Sequence, residues 1–263
     1  MRIFDGFLFN DELDLLELRL MELGDLVDHF LIVEGRHDFQ QHPKRLVFME
    51  NRKRFARWND KIIHQIVKLD PAPHPFIEHE SRRQFDYAGA DFNDLIMLGD
   101  VDEIPSREAL ELVRKTPPGR PMVLQQHLYY YRVTNHAGWW NGTIVMPRGL
   151  GRMDWQQMRD MRNQLPVLPV KTGGWHFSWL GDADQVREKL RCLDVKSDND
   201  LYGSELPDIP DPDTDAAKIE RTVAIGDDLF GRERKFQTMV IEPGVLQPSC
   251  IHEWLDGGRE RYA

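Results

Sequence analysis

Cysteine is scarce: the 263 residues contain only Cys192 and Cys250, and neither belongs to a CxxC pair. That argues against a zinc cluster, and both residues read as reduced thiols of a cytosolic protein. Uncharged apolar runs are also missing, since none approaches the roughly 20 residues that span a bilayer. The opening MRIFDGFLFNDELD meets acidic residues too early for a signal peptide. The expectation is a cytoplasmic protein without a transmembrane segment, any membrane association being peripheral at the inner surface. Basic charge is in deficit, with 34 Lys and Arg against 44 Asp and Glu and a net charge of −10. A general nucleic-acid binder needs a basic face that displaces counterions from phosphates, so nucleic acid is a poor partner. An acidic protein still binds a diphosphate when a divalent cation lies between them.

What is present suits a globular enzyme. Apolar residues make up 41% of the chain, enough for a sizeable core. The length suits one large α/β domain or two small ones. No linker divides the chain, and it reads as a single domain over 1–263 with a donor-binding half at about 1–105 and an acceptor-side half at about 106–263.

Ile3 to Phe9 reads as a strand, Asn10 or Asp11 as the cap of the next helix, and Leu13, Leu16, Leu20 and Leu23 as one apolar helical face. His29 to Val33 is a second short buried strand. This βαβ opening predicts an α/β fold with a mostly parallel, Rossmann-like central sheet flanked by helices. Lys61 to Val67 reads as a third strand, Asp70 to Pro75 as a break and Glu78 to Ala90 as a helix. Leu95 to Leu98 reads as a buried strand, and Ser106 as the N-cap of the helix after it. Met122 to Val133 and Thr143 to Met146 read as strands, with His136 to Gly142 as the loop between them. Asp182 and Gln185 have capping-box spacing. Asp194 to Asp215 reads as a mobile acidic loop.

The chemistry concentrates at Asp100-Val101-Asp102, directly after the LIML strand. Alternate residues of an extended chain point the same way, so both carboxylates can face one cation. Ligands of open α/β sheets bind beyond the carboxyl ends of strands. Mg²⁺ and Mn²⁺ commonly bridge one or two carboxylates to substrate phosphates, and a diphosphate leaving group needs its growing charge stabilised. The bland alternative is that the two aspartates cap a turn. A rival enzyme, the aspartyl-phosphate phosphatase, also places DxD at a strand end. Its strand normally comes near the N-terminus, whereas here a long βαβ region precedes the motif and Glu103-Ile104-Pro105 follows it.

The chain resembles the family 17 glycosyltransferases, typified by an enzyme that adds bisecting GlcNAc to N-glycans. The resemblance rests on Phe7 to Glu17 (FLFNDELDLLE), Phe30 to Glu34, Lys61 to His64, Asp100 to Arg107 (DVDEIPSR) and Gly173 to Ser178 (GGWHFS), and it weakens after Leu190. It implies a GT-A fold, an inverting transfer, a UDP-sugar donor with UDP-GlcNAc foremost, and a divalent metal, Mn²⁺ or Mg²⁺. For a cytosolic relative, a glycan or lipid-linked oligosaccharide is the expected acceptor.

On that basis Asp102, Asp100 and His176 are the expected metal site. Phe9, Glu34, Arg83, Asp100, Gly173 and Gly174 are expected at the donor. Glu34 ends the second strand, where such enzymes meet uridine, with a solvated loop carboxylate as the alternative. Arg83 is preferred to Arg82 for the diphosphate, since guanidinium matches phosphate oxygens. Surface ion pairs are the alternative for both. Gly173 and Gly174 would let the backbone approach the donor. Of the aromatic residues Trp139, Trp140, Trp175 and Trp179, the expected sugar-stacking pair is Trp140 and Trp175, although such residues more often belong to a core. An inverting transfer also needs a carboxylate to take the acceptor proton. Asp154, Asp160 and Asp182 are the candidates, and the sequence does not choose among them. A non-catalytic protein that binds a nucleotide-sugar or carbohydrate on the same fold is the alternative function.

Overall fold

The structure is a computed structural model that describes residues 1–69, 77–150, 154–192 and 209–263. The break at Asp70 to Pro75 and most of the acidic loop, 194–208, lie outside the described residues.

The opening is β1 (Ile3–Phe9), α1 (Leu13–Leu23), β2 (His29–Glu34), α2 (Val47–Asn51) with a 3₁₀ turn over Arg52–Trp58, β3 (Ile62–Ile66), α3 (Ile77–Arg83) and β4 (Leu95–Asp100). Next come β5 (Glu103–Pro105), α4 (Arg107–Lys115), β6 (Met122–Tyr130), β7 (Asn135–Pro147), α5 (Trp155–Asp160) and β8 (Gly174–Ser178). The rest contributes α6 (Ala183–Cys192), α7 (Ala216–Ile225), β9 (Gln237–Thr238) and α8 (Ile251–Asp256).

One central sheet runs β3-β2-β1-β4-β7-β6-β8-β5, with β9 on β7. The four strands β3-β2-β1-β4 are parallel. β7 joins β4 antiparallel, and among the described strands β6 pairs with β8 in parallel while β5 with β8, β6 with β7 and β7 with β9 are antiparallel. Every residue of β1 is buried, as expected of a central strand covered on both faces. Side chains alternate: Ile3 and Phe7 enter the core shared with α1 and α4, and Phe4 and Leu8 the core shared with α5. Leu95 and Met97 of β4 divide from Ile96 and Leu98 in the same way. A third cluster joins β6 to α6 and α7 through Leu128, Val186, Leu190, Ile219 and Val223.

Ser106 caps α4, its hydroxyl accepting from the Ala109 amide at 3.1 Å. Asp182 and Gln185 exchange backbone-to-side-chain bonds as a capping box. Other expectations are corrected. Neither Asn10 nor Asp11 caps α1. Glu12 precedes it, and its carboxylate turns back to accept from the Asn10 and Asp11 amides, both at 3.1 Å. The helix expected over Glu78–Ala90 ends at Arg83. His136 to Gly142 is not a loop but half of β7, paired along β6 from Tyr129 to Gln125 with a register shift between His127 and Tyr129. Gly142 leaves room for the buried Gln126 side chain, whose Oε1 would lie 1.8 Å from a Cβ there.

Candidate functional site

Asp100 ends β4 opposite Leu8 of β1, so the DxD turn sits at the carboxyl edge of the parallel strands. Arg19 of α1 holds the turn from below. It is fully buried and forms a bidentate pair with Asp5, both contacts at 2.7 Å. Its Nη1 donates to the carbonyl oxygens of Asp100 at 2.9 Å, Val101 at 3.3 Å and Glu103 at 2.7 Å. The backbone polar groups of the turn are thereby satisfied inside the protein. On its far side β5 pairs with β8, which sets Glu103 opposite His176, and the Phe177 amide donates to the Asp102 carbonyl at 2.9 Å. This register carries His176 to Asp102.

The acidic residues differ in their partners. Asp100 accepts from Arg82 through Oδ1 and from Arg159 through Oδ2, each at 2.7 Å. Burial opposes its ionisation, but Arg159 and Arg82 outweigh burial and hold its pKa well below the usual carboxylate range. Glu103 is fully buried. It accepts from both terminal nitrogens of Arg159, at 2.9 Å for the Nη1 contact, and from Trp140 Nε1 at 2.6 Å. Arg82 also reaches Gln156 at 2.6 Å and Glu78 at 2.8 Å. Asp102 instead faces Lys189 Nζ at 3.3 Å and His176 Nε2 at 3.5 Å, both through Oδ2. Burial would raise its pKa, yet Lys189 and His176 bring it down to about 2. Burial likewise works against a charged Lys189, and Asp102, Glu12 and Asp11 overcome it and raise its pKa.

Two hollows meet here. One of about 130 Å³ is lined by Asp100, Asp102, His176 and Lys189 together with Leu8, Asn10, Glu12, Phe39 and Glu78. A larger groove of about 310 Å³ runs past Asp11, Asp14, Arg54, Gln185, Glu188 and Tyr262 and shares Glu12 and Lys189 with the first. Burial, then the charge of Asp11, raise the Glu12 pKa, which suits a carboxylate that takes up a proton.

Among the described residues no three His, Cys, Asp or Glu side chains converge as a cage for a metal ion. Asp102 and His176 nonetheless fit a shared ion of the kind that completes its shell with phosphate oxygens and water. His176 Nδ1 is buried without a hydrogen-bond partner, while Nε2 faces Asp102. Asp100, with both oxygens committed to arginines, sits beside that position and supports the turn.

The remaining expected residues divide. Trp140 is at the site, 5.0 Å from the His176 ring and beneath the Arg162 guanidinium. Trp175 is fully buried in the core and does not present a face to a sugar. Trp139 is half exposed, and Trp179 is buried against Phe230. Arg82 rather than Arg83 reaches the DxD. Arg83 is more than a third exposed and pairs with Glu80 and Asp154. Glu34 is buried and occupied by the Phe48 amide, His64 and Lys44, so it braces strand ends. Phe9 packs edge-on against Phe48 and borders a small recess with Asn10, Val33, Gly35 and Phe39. Gly173 and Gly174 serve close packing of strands: a Cβ at 173 would lie 2.6 Å from the Gln125 carbonyl oxygen, and one at 174, where φ is +132°, 2.1 Å from that of Ile104. Asp154 caps α5, Asp182 caps α6, and Asp160 accepts from Gln156. None of these three lines either hollow. The sequence reading missed Glu12, Arg19, Glu103, Arg159 and Lys189. Glu103 lies inside the DVDE motif and was open to notice, whereas Lys189 carries no local signal.

No helix among the described residues is long and apolar enough to cross a membrane. A solved structure, the Francisella tularensis 2-C-methyl-D-erythritol 4-phosphate cytidylyltransferase, superposes with a TM-score of 0.36 at 9% identity, over 73% of this chain and all of that one. A likeness that distant carries no functional weight. A curated relative, the rat β-1,4-mannosyl-glycoprotein 4-β-N-acetylglucosaminyltransferase, is 24% identical over 238 residues, which cover 72% of this chain and 42% of the rat protein. The chain thus spans less than half the length of that relative. The family model for glycosyltransferase family 17 matches residues 1–232, beyond the point near Leu190 where the motif resemblance fades. Motifs, strand-end geometry and that match agree: the chain belongs to glycosyltransferase family 17.

Proposed function

We propose that this chain is a GT-A-type inverting glycosyltransferase that moves GlcNAc from UDP-GlcNAc onto a glycan hydroxyl. The observation that carries the reading is the meeting of Asp102 and His176 at the carboxyl edge of β1 and β4, beside a hollow of about 130 Å³. The name of the rat relative supplies the transferred sugar. For the acceptor we propose a polysaccharide or lipid-linked oligosaccharide, received in the larger groove.

In this reading Asp102 and His176 would hold Mn²⁺ or Mg²⁺, which when bound supplies positive charge against a diphosphate leaving group. The acceptor oxygen attacks C1 from the face opposite the diphosphate. The bond from C1 to the phosphate oxygen breaks, UDP departs with its electron pair, and the hydroxyl proton passes to a carboxylate. Glu12 is placed for that role, because it borders both hollows. Arg82 and Arg159 engage both oxygens of Asp100, whereas Asp102 faces the hollow with no arginine on it.

Incubation with UDP-GlcNAc and Mn²⁺ tests the proposal. Metal-dependent release of UDP, slow without acceptor, is the expected result. Tight UDP binding with no release under any acceptor would make the chain a non-catalytic nucleotide-sugar binder. Release of inorganic phosphate from phosphomonoesters would favour the phosphatase, although an Asp100 with both oxygens in ion pairs is a poor nucleophile.

A further inference from the structure

Lys189 stands where the two hollows join. Its ammonium lies 3.3 Å from Asp102 Oδ2, the oxygen that His176 Nε2 also approaches. The side chain is 28% exposed. Its ammonium lies over Trp179, 5.6 Å from the ring centroid. A lysine is a compact point charge on a flexible stem, so the ammonium can change partners while α6 stays in place. Two cations crowded on one carboxylate oxygen repel each other. An ion that takes Asp102 Oδ2 must therefore displace Lys189, and the adjoining hollow offers it room.

We propose that Lys189 is a tethered cation that neutralises Asp102 in the ligand-free protein and passes to the diphosphate oxygens of a nucleotide when ion and nucleotide bind. This rests on the nucleotide-sugar reading above. It gives Lys189 two opposed effects: it competes with the ion in the free protein, and it holds the second phosphate in the complex. A diphosphate should therefore gain from Lys189 where a monophosphate does not.

The test compares wild type, Lys189→Met and Lys189→Arg. Mn²⁺ binding is followed by its electron paramagnetic resonance signal, and UDP and UMP binding by calorimetry in saturating Mn²⁺. Methionine keeps most of the stem that covers Trp179, and thermal melting checks that each variant is folded. Removing a charge-assisted contact changes affinity by about tenfold or more. Lys189→Met is expected to bind Mn²⁺ alone about tenfold more tightly, and UDP about tenfold or more weakly, with UMP within about twofold of wild type. Lys189→Arg should retain most of the UDP affinity. A Lys189→Met protein with unchanged Mn²⁺ and UDP affinities overturns the proposal, as does one in which only one of the two moves. Equal losses for UDP and UMP would mark a structural residue and also overturn it. A wild-type protein that binds neither nucleotide overturns the donor reading together with this one, whereas wild-type binding matched by Lys189→Met removes only the role of Lys189.

Discussion

Replacing Arg159 by Met should be strongly destabilising. Arg159 is 5% exposed and serves three acceptor groups: the Glu103 carboxylate, Asp100 Oδ2 at 2.7 Å and the Gly142 carbonyl at 3.0 Å. The contact with Asp100 is discounted, because that carboxylate is 30% exposed and water screens what it loses. Glu103 is fully buried, and without Arg159 it keeps Trp140 and the Asp100 amide but loses this ion pair. Breaking a buried pair from one side costs about 3–5 kcal/mol. At about 2–4 °C per kcal/mol for a domain of this size, the melting temperature should fall by roughly 6–20 °C. The double variant Arg159→Met/Glu103→Gln removes the stranded charge and should recover part of that loss, a non-additivity that a double-mutant cycle measures. Scanning calorimetry or denaturant titration of the four proteins decides. A loss below about 1 kcal/mol for Arg159→Met, or no recovery in the double variant, would refute the view that this guanidinium neutralises the buried side of the motif.

Chelation by EDTA should abolish UDP release from UDP-GlcNAc, and Mn²⁺ should restore it; undiminished release in excess chelator would remove the ion from the mechanism. Asp102→Asn should lower release by about a hundredfold or more while the fold persists, because the change removes charge and keeps volume. The pKa of folded Asp102 is depressed, so its ionised form adds stability that is complete above about pH 5 and fades as pH falls toward 2, about 2 kcal/mol in all. Melting curves in EDTA for wild type and Asp102→Asn should therefore converge on acidification, and a constant gap would contradict the assignment. Arg83→Ala should melt within about 2 °C of wild type, since its ion pairs are exposed, whereas Arg82→Ala should lose several degrees. Glu12→Gln should slow transfer to acceptor and leave UDP affinity within about threefold, as expected of a base that acts only in the chemical step.

The elements whose signal is local were legible. β1 runs from Ile3 to Phe9 as read, the DxD follows the LIML strand, and the Ser106 cap and the box at Asp182 and Gln185 are in place. What depends on distant partners was not. Asp154 and Asp182 are helix caps, and sequence alone does not separate a capping aspartate from a proton acceptor, because both need a short carboxylate beside a turn. Arg82 and Arg159 meet Asp100 only after α3 and α5 pack against the strands, so the sequence alone led to the neighbouring Arg83 instead. One miss was avoidable. In the GWHFS strand, alternation sends Trp175 and Phe177 to one face and His176 to the other. The core therefore claims the tryptophan and the site claims the histidine.

Arg19 divides the DxD turn into parts with separate duties. The main chain of that turn is spoken for by a side chain 81 positions away at its Asp100 contact, while the carboxylate of Asp102 turns to Lys189 and His176. The arrangement acts as a socket whose walls are set by the first helix and whose occupant at 102 is exchangeable. Chemistry at this position can therefore be altered by substitution without rebuilding the backbone. A chain that has not yet docked α1 has the correct motif but no site.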